Sequence, residues 1–232
     1  MTERRVSVHP PNDSPEYKST VLRAPKRPLR VLSERFPDLR TPLFADLAIG
    51  PFDSDLTRQH DGEPLGERIT ISGTVRDEHG EPVKGALIEV WQANAAGRYA
   101  HIADQHSAPL DPNFSGAGRT ITDDEGRYRF VTIKPGAYPW RNHPNAWRPA
   151  HVHFSVFSDS FAQRLVTQMY FPGDPLQALD PIFNSVPDPE ARRRLIARWS
   201  LELTQPEWSL GYEWDIVVAG RDATPLHDDG DE

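Results

Sequence analysis

The chain has 232 residues, no cysteine and a formal net charge of -8. That length suits one large domain or a domain with an extended arm, and the lack of thiols excludes disulfides and thiolate-bound metals. The acidic balance argues against a general nucleic-acid binder. Charge is unevenly spread, since residues 1–40 carry nine Lys/Arg against five Asp/Glu. This basic arm reads either as a solubilising segment or as a docking surface for an acidic partner.

The first residues lack the apolar stretch of a signal peptide, and no later run is long enough to span a bilayer. A soluble cytoplasmic protein is therefore expected. Eight prolines occur up to Pro51, with little sustained periodicity. Residues 1–65 are read as an extended arm that wraps a neighbour or the domain's own surface, with a short helix around Asp46–Leu47.

Regular structure is expected from Glu67. Ile69–Val75 alternates β-branched and small residues, Asp77-Glu78-His79-Gly80 reads as a turn, and Ala86–Trp91 as the returning strand. Further strands are predicted at Arg119–Thr122, Arg127–Ile133, His151–Phe157, Arg164–Phe171 and Tyr212–Val218. Asp124-Glu125-Gly126 reads as a hairpin turn joining the first two of these. One helix interrupts the strands, with Asp188 as N-cap, Pro189 at its first position and a run through Ala191–Trp199. Its Arg192-Arg193-Arg194 run reads as a solvated face, and residues 223–232 as an acidic disordered tail. Short strands between Gly/Pro-rich turns predict a mainly β protein. Its core, over residues 66–222, is a β-sandwich of two mixed or antiparallel sheets, carrying the proline-rich arm and one short helix.

Within this pattern Arg148-Pro149-Ala150-His151-Val152-His153-Phe154-Ser155 stands out. Side chains of a strand alternate, so His151 and His153 share one face while Val152, Phe154 and Val156 share the other. The pair can be half of a metal site, a hydrogen-bonded polar patch or two surface residues. The other histidines, His9, His60, His79, His101, His106, His143 and His227, fall in apparent loops or tails. No His-Glu-x-x-His pattern or obvious acidic third ligand accompanies the pair, which weakens a zinc-hydrolase reading. The remaining candidates are the loop tyrosines Tyr99 and Tyr138, the latter between Pro135 and Pro139. A tyrosine ligand needs a metal acidic enough to remove a proton with an ordinary pKa of about 10. Ferric iron suits this better than zinc or magnesium. For Tyr128, Tyr170 and Tyr212 the expected role is packing with a hydrogen-bonded hydroxyl.

The ordered segments Glu89–Tyr99, Leu110–Phe114, Thr132–Gly136, Tyr138–Asn142, Trp147–Ser155 and Thr167–Phe171 strongly resemble the intradiol ring-cleaving dioxygenases, from about Tyr17 to Val218. One departure is Ala137, where the family usually has proline before the ligand tyrosine. The resemblance implies a non-haem Fe(III) held by Tyr99, Tyr138, His151 and His153. Formal charge makes that set intelligible, because two phenolates and a hydroxide neutralise the trivalent ion that must be buried. The reaction implied is cleavage of protocatechuate (3,4-dihydroxybenzoate) by O2 to 3-carboxy-cis,cis-muconate, with Tyr138 as the displaceable ligand and base. Arg148 matches the arginine that stabilises negative charge developing on the ring carbon, a task suited to a permanently protonated group. The alternative for Arg148 is a structural salt bridge. Trp140, Gln168, Ile182 and Tyr17 match positions that line the substrate site. A homologous α subunit is the implied partner in a higher-order hetero-oligomer. Two competing readings are an intradiol enzyme for catechol or hydroxyquinol, and a non-catalytic transthyretin-like binding module.

Overall fold

In the computed structural model, strand β1 (Arg68–Arg76) is the hub of the first of two sheets. The structure describes residues 8–16, 18–23, 26–27, 48–141, 143, 146–157 and 164–226. β1 pairs along its length with antiparallel β4 (Arg127–Ile133). On its other side it pairs in parallel with β10 (Leu210–Glu213) and then β11 (Ile216–Val217). The short strand β9 (Arg198–Trp199) closes that edge against β10. The second sheet is wholly antiparallel, in the order β3 (Ala117–Ile121), β2 (Leu87–Trp91), β7 (His151–Phe157), β8 (Leu165–Tyr170). A separate hairpin of β5 (Tyr138–Trp140) and β6 (Ala146–Arg148) lies outside both sheets.

Period-2 alternation builds the sandwich. Ile69, Ile71 and Val75 of β1 and Tyr128 and Phe130 of β4 face Ile88, Val90, Val152, Phe154, Val156 and Met169 across one buried cluster. The expected mixed and antiparallel β-sandwich is what the chain forms. The consequence for function lies in β7. Every one of its residues from His151 to Val156 is buried, so its second face is covered as well.

Several local expectations need correction. Ala86–Trp91 does not return along β1, and Asp124-Glu125-Gly126 does not join a hairpin. β2 and β3 pair with each other in the second sheet, while β1 and β4 pair in the first. Both turns therefore carry the chain from one sheet to the other. Tyr212–Val218 is two strands, because the Asp215 carboxylate takes the Thr74 N–H (2.9 Å) in place of a ladder carbonyl.

The helix after Asp188 is also shorter than expected, α3 (Pro189–Arg194). Beyond it, Tyr170 donates to the Leu195 carbonyl and accepts from Ala197 N–H, so the chain leaves the helix to run along the edge of β8. The helices α1 (Thr20–Arg23) and α2 (Pro181–Ser185) and a 3-10 turn (Pro175–Leu179) were not anticipated. Among the described residues no helix is long and apolar enough to cross a membrane.

Residues at both ends of the expected domain belong to the sandwich. Arg119 N–H donates to Asp53 O and Val131 N–H to Ser54 O, so the segment stitches the β3 edge to the β4 edge, with Leu56 fully buried. Ala223 and Thr224 are buried, and Thr167 Oγ1 donates to Pro225 O. The tail expected from residue 223 therefore cannot begin before 227. The helix expected near Asp46–Leu47, Tyr17 and residues 227–232 lie outside the described residues.

Candidate metal centre

The second face of the β3-β2-β7-β8 sheet carries the site. Register places Trp91 of β2 and Gln168 of β8 opposite His153, and Tyr170 opposite His151. The three share the histidines' face because paired residues of adjacent strands point the same way. The β5–β6 hairpin and α2 close over them. Tyr138, Trp140, Ala146 and Ile182 form one apolar cluster with Ala93, against which Tyr99 packs.

Four donor atoms turn inward on one another there. Tyr99 Oη lies 3.0 Å from His153 Nε2, Tyr138 Oη 3.4 Å from His151 Nε2, and the two Nε2 atoms are 3.2 Å apart. The tyrosine rings meet edge to face with centroids 5.4 Å apart. His151 Nδ1 sits 2.7 Å from Pro149 O, a pure acceptor. Nδ1 must therefore carry the proton, which leaves the Nε2 lone pair facing the cluster. His153 is held by Trp91, stacked on its ring at 4.7 Å and 11°, and by the Gln168 amide 3.3 Å from Nδ1.

The donor set fits a hard trivalent ion. Neutral imidazoles and ionisable phenols supply nitrogen and anionic oxygen without any carboxylate, and spacings of this size are those of donors sharing one ion at about 2.0–2.2 Å. Among the described residues no group of three or more His, Cys, Asp and Glu could hold a metal, so only inclusion of tyrosine makes this site complete.

Two glycines let the tyrosine loops meet. Gly97 has φ +77°, and a Cβ there would stand 2.3 Å from Ala137 O; one on Gly136 would stand 2.4 Å from Ala95 O. The backbones of the two loops are thus in direct contact, tied by Gly136 N–H to Asn94 O (2.9 Å).

Arg148 faces Tyr138 across the hairpin and is almost fully buried. The structural salt bridge weighed for it exists. Its Nε lies 3.1 Å from Asp180 Oδ1, and its Nη2 donates to Asp180 Oδ2 (3.2 Å), Gln168 Oε1 (2.5 Å) and Tyr170 Oη (3.1 Å). Its guanidinium also stands over the Trp140 ring at 5.4 Å.

Tyr99, Tyr138, His151, His153, Arg148, Trp140, Gln168 and Ile182 are all brought to one place, while Tyr17 falls outside the described residues. Sequence reasoning missed Asp180 and Trp91; Tyr170 packs with a hydrogen-bonded hydroxyl as expected, and its partners are Arg148, Gln168 and Asp180. The available signals were modest: Asp180 precedes Pro181 as a helix cap, and Tyr170 follows Gln168 at strand spacing. Of the other tyrosines, Tyr128 donates to Trp214 O (2.6 Å), but the buried Tyr212 hydroxyl has no hydrogen-bond partner among the described residues.

Comparison with known proteins identifies the family. A family model described as Dioxygenase matches residues 39–220, and one described as protocatechuate 3,4-dioxygenase beta subunit N terminal matches residues 3–35. The chain is 60% identical to the protocatechuate 3,4-dioxygenase beta chain of Burkholderia cepacia, over 97% of each chain. It is 31% identical to the corresponding alpha chain of Pseudomonas putida, over 70% of this chain and 77% of that one. Among solved structures, 3-chlorocatechol 1,2-dioxygenase from Rhodococcus opacus 1CP superposes with a TM-score of 0.56 at 27% identity, covering 71% of this chain and 64% of that one.

Proposed function

Because the chain belongs to the intradiol ring-cleaving dioxygenases, we propose that it is the iron-bearing β subunit of a protocatechuate 3,4-dioxygenase. It opens protocatechuate with O2 to 3-carboxy-cis,cis-muconate. The observation that carries this reading is the convergence of two phenol oxygens and two imidazole Nε2 atoms on one buried point. Tyr99, Tyr138, His151 and His153 would hold ferric iron. Bound there, the ion supplies the Lewis acidity that favours the deprotonated catechol and makes it reactive toward O2.

The chain's own residues do the rest. Tyr138 Oη takes up a substrate hydroxyl proton, and its place on a three-residue strand of a separate hairpin lets it move without disturbing either main sheet. Arg148 sets positive charge beside the ring carbon that becomes negative, and burial from water strengthens that interaction. Trp140 and Ile182 wall the ring on its apolar sides, Gln168 orients Arg148 through Oε1, and Tyr17 is assigned to the carboxylate end of the substrate. A homologous α chain completes the pocket in a hetero-oligomer, and the enzyme works in the cytoplasm.

Co-expression with the homologous α chain tests this reading. The purified complex should be red-brown from tyrosinate-to-iron charge transfer and take up one O2 per protocatechuate. It should be far slower with catechol, which lacks the carboxylate. A preparation that stays colourless with added ferric iron, or equal turnover of catechol, would contradict the assignment.

A further inference from the structure

Arg148 belongs to the small β5–β6 hairpin, outside the two sheets that make the rigid frame, yet the proposed chemistry needs its guanidinium held at one orientation. Asp180 is fully buried on the far side of it. Its two oxygens face two different nitrogens of the guanidinium, Oδ1 to Nε at 3.1 Å and Oδ2 to Nη2 at 3.2 Å. Nη2 donates to Oδ2 and Oδ1 stands beside Nε as an ion-pair contact, so the carboxylate holds the planar group by charge along one edge while Gln168 Oε1 and Tyr170 Oη hold Nη2 from other directions.

The same carboxylate reaches three other parts of the site. Asp180 Oδ1 accepts from Ile182 N–H (3.1 Å) and caps α2, so the pocket wall at Ile182 is set by the atom that holds Arg148. Oδ2 accepts from Tyr170 Oη (3.1 Å). The single Tyr170 hydroxyl proton is shared between that oxygen and Gln168 Oε1 (2.7 Å), and the Gln168 amide stands against His153. A buried ion pair is costly to desolvate and is no strong argument for stability by itself. A salt bridge required only for folding would not need its oxygens divided between the reacting charge and the pocket wall.

We propose that Asp180 is a positioning residue of the reaction. It clamps the Arg148 guanidinium and, through Ile182, ties that clamp to the substrate wall. The inference rests on the role given to Arg148 above. It assigns Asp180 no contact with substrate or metal.

A double-mutant cycle with Arg148 tests it. Asp180→Asn keeps an oxygen for the Ile182 N–H and a good cap for α2, while it removes the charge and turns the Oδ2 acceptor that faces Arg148 into an amide donor. It should retain iron and the resting colour and leave KM within a few-fold. Its kcat should fall on the order of 10²-fold, the scale of a misplaced reacting group. Arg148→Met should also lose turnover. Asp180→Asn/Arg148→Met should be no slower than Arg148→Met alone, since Asp180 acts through the arginine.

Unfolding midpoints of the metal-free proteins give a second readout. The double variant should melt above Arg148→Met, in which a carboxylate is buried without its partner. If Asp180→Asn cannot be recovered folded, Asp180→Glu serves. It keeps the charge, displaces it by one methylene, and should lower kcat with iron and colour retained.

Undiminished kcat in the Asp180 variant overturns the inference, and so do additive losses of rate or of melting temperature in the double variant. A fully active Arg148→Met would remove the proposed role of Arg148 and this inference with it. An inactive Arg148→Met beside a fully active Asp180→Asn would remove the inference alone.

Discussion

His151 and His153 differ from ordinary core histidines in where their nitrogens point. Each uses its outer face to be held, His151 by the Pro149 carbonyl and His153 by the Trp91 ring, and each turns Nε2 toward the other and toward a tyrosine. Replacing either by alanine should therefore abolish iron retention. It should cost about 1–3 kcal/mol of stability, the ordinary size of a core truncation. Iron per chain after desalting, with the visible spectrum, checks this, and stoichiometric iron in both variants would show the ligand set to be wrong. The histidine pair was legible from sequence because strand parity alone puts both rings on one face. Asp180 was not. Its partner Arg148 lies 32 positions earlier, and no local period links a helix cap to a hairpin arginine.

At the scale of elements, the centre depends on two loops pressed backbone to backbone. Asn94 accepts from Ala96 and Arg98 N–H through Oδ1 (2.9 and 3.0 Å), winding the first loop so that Gly97 meets the Ala137 carbonyl of the second. Ala137, where the family usually has proline, supplies that contact through its backbone, so the loop keeps its place without the ring. Gly97→Ala should destabilise the protein by about 1–3 kcal/mol and lower its iron content, because a Cβ there is both strained and in collision. Gly80→Ala is the control. Gly80 also has a positive φ (+85°) but open space around it, so its variant should lose less stability and keep its iron. Denaturant midpoints and metal analysis separate the two. The long strands were readable from period-2 alternation. β5 and β6 are not legible because three residues carry no period, and α3 ends short of Trp199 because helix propensity does not register the pairing of Ile196 with Tyr170 of β8.

Over the whole molecule, the segments around Val8 and Leu226 meet on the helical side of the site. Val8 packs against the cluster of Tyr170, Phe183, Val186, Ala191 and Leu195, and Leu226 N–H donates to His9 Nδ1 (3.0 Å). Tyr170 thus links this junction to the Arg148 network. An acceptor Nδ1 requires a lone pair on that atom, which protonation removes. Burial, and then the nearby positive charge of Arg194, hold the His9 pKa below its ordinary 6.5. The unfolded chain therefore takes up this proton before the folded one does. The stability His9 contributes is present in full above pH 6.5 and is lost as pH falls through the lower folded value. The protection of the Leu226 amide against hydrogen exchange should accordingly weaken on acidification below 6.5. Arg194→Gln should move that loss to higher pH by easing the repulsion, and His9→Leu should abolish both the bond and its pH dependence. Exchange measured by NMR across this range decides the matter, and a Leu226 protection factor independent of pH would show that His9 does not secure the C-terminal segment.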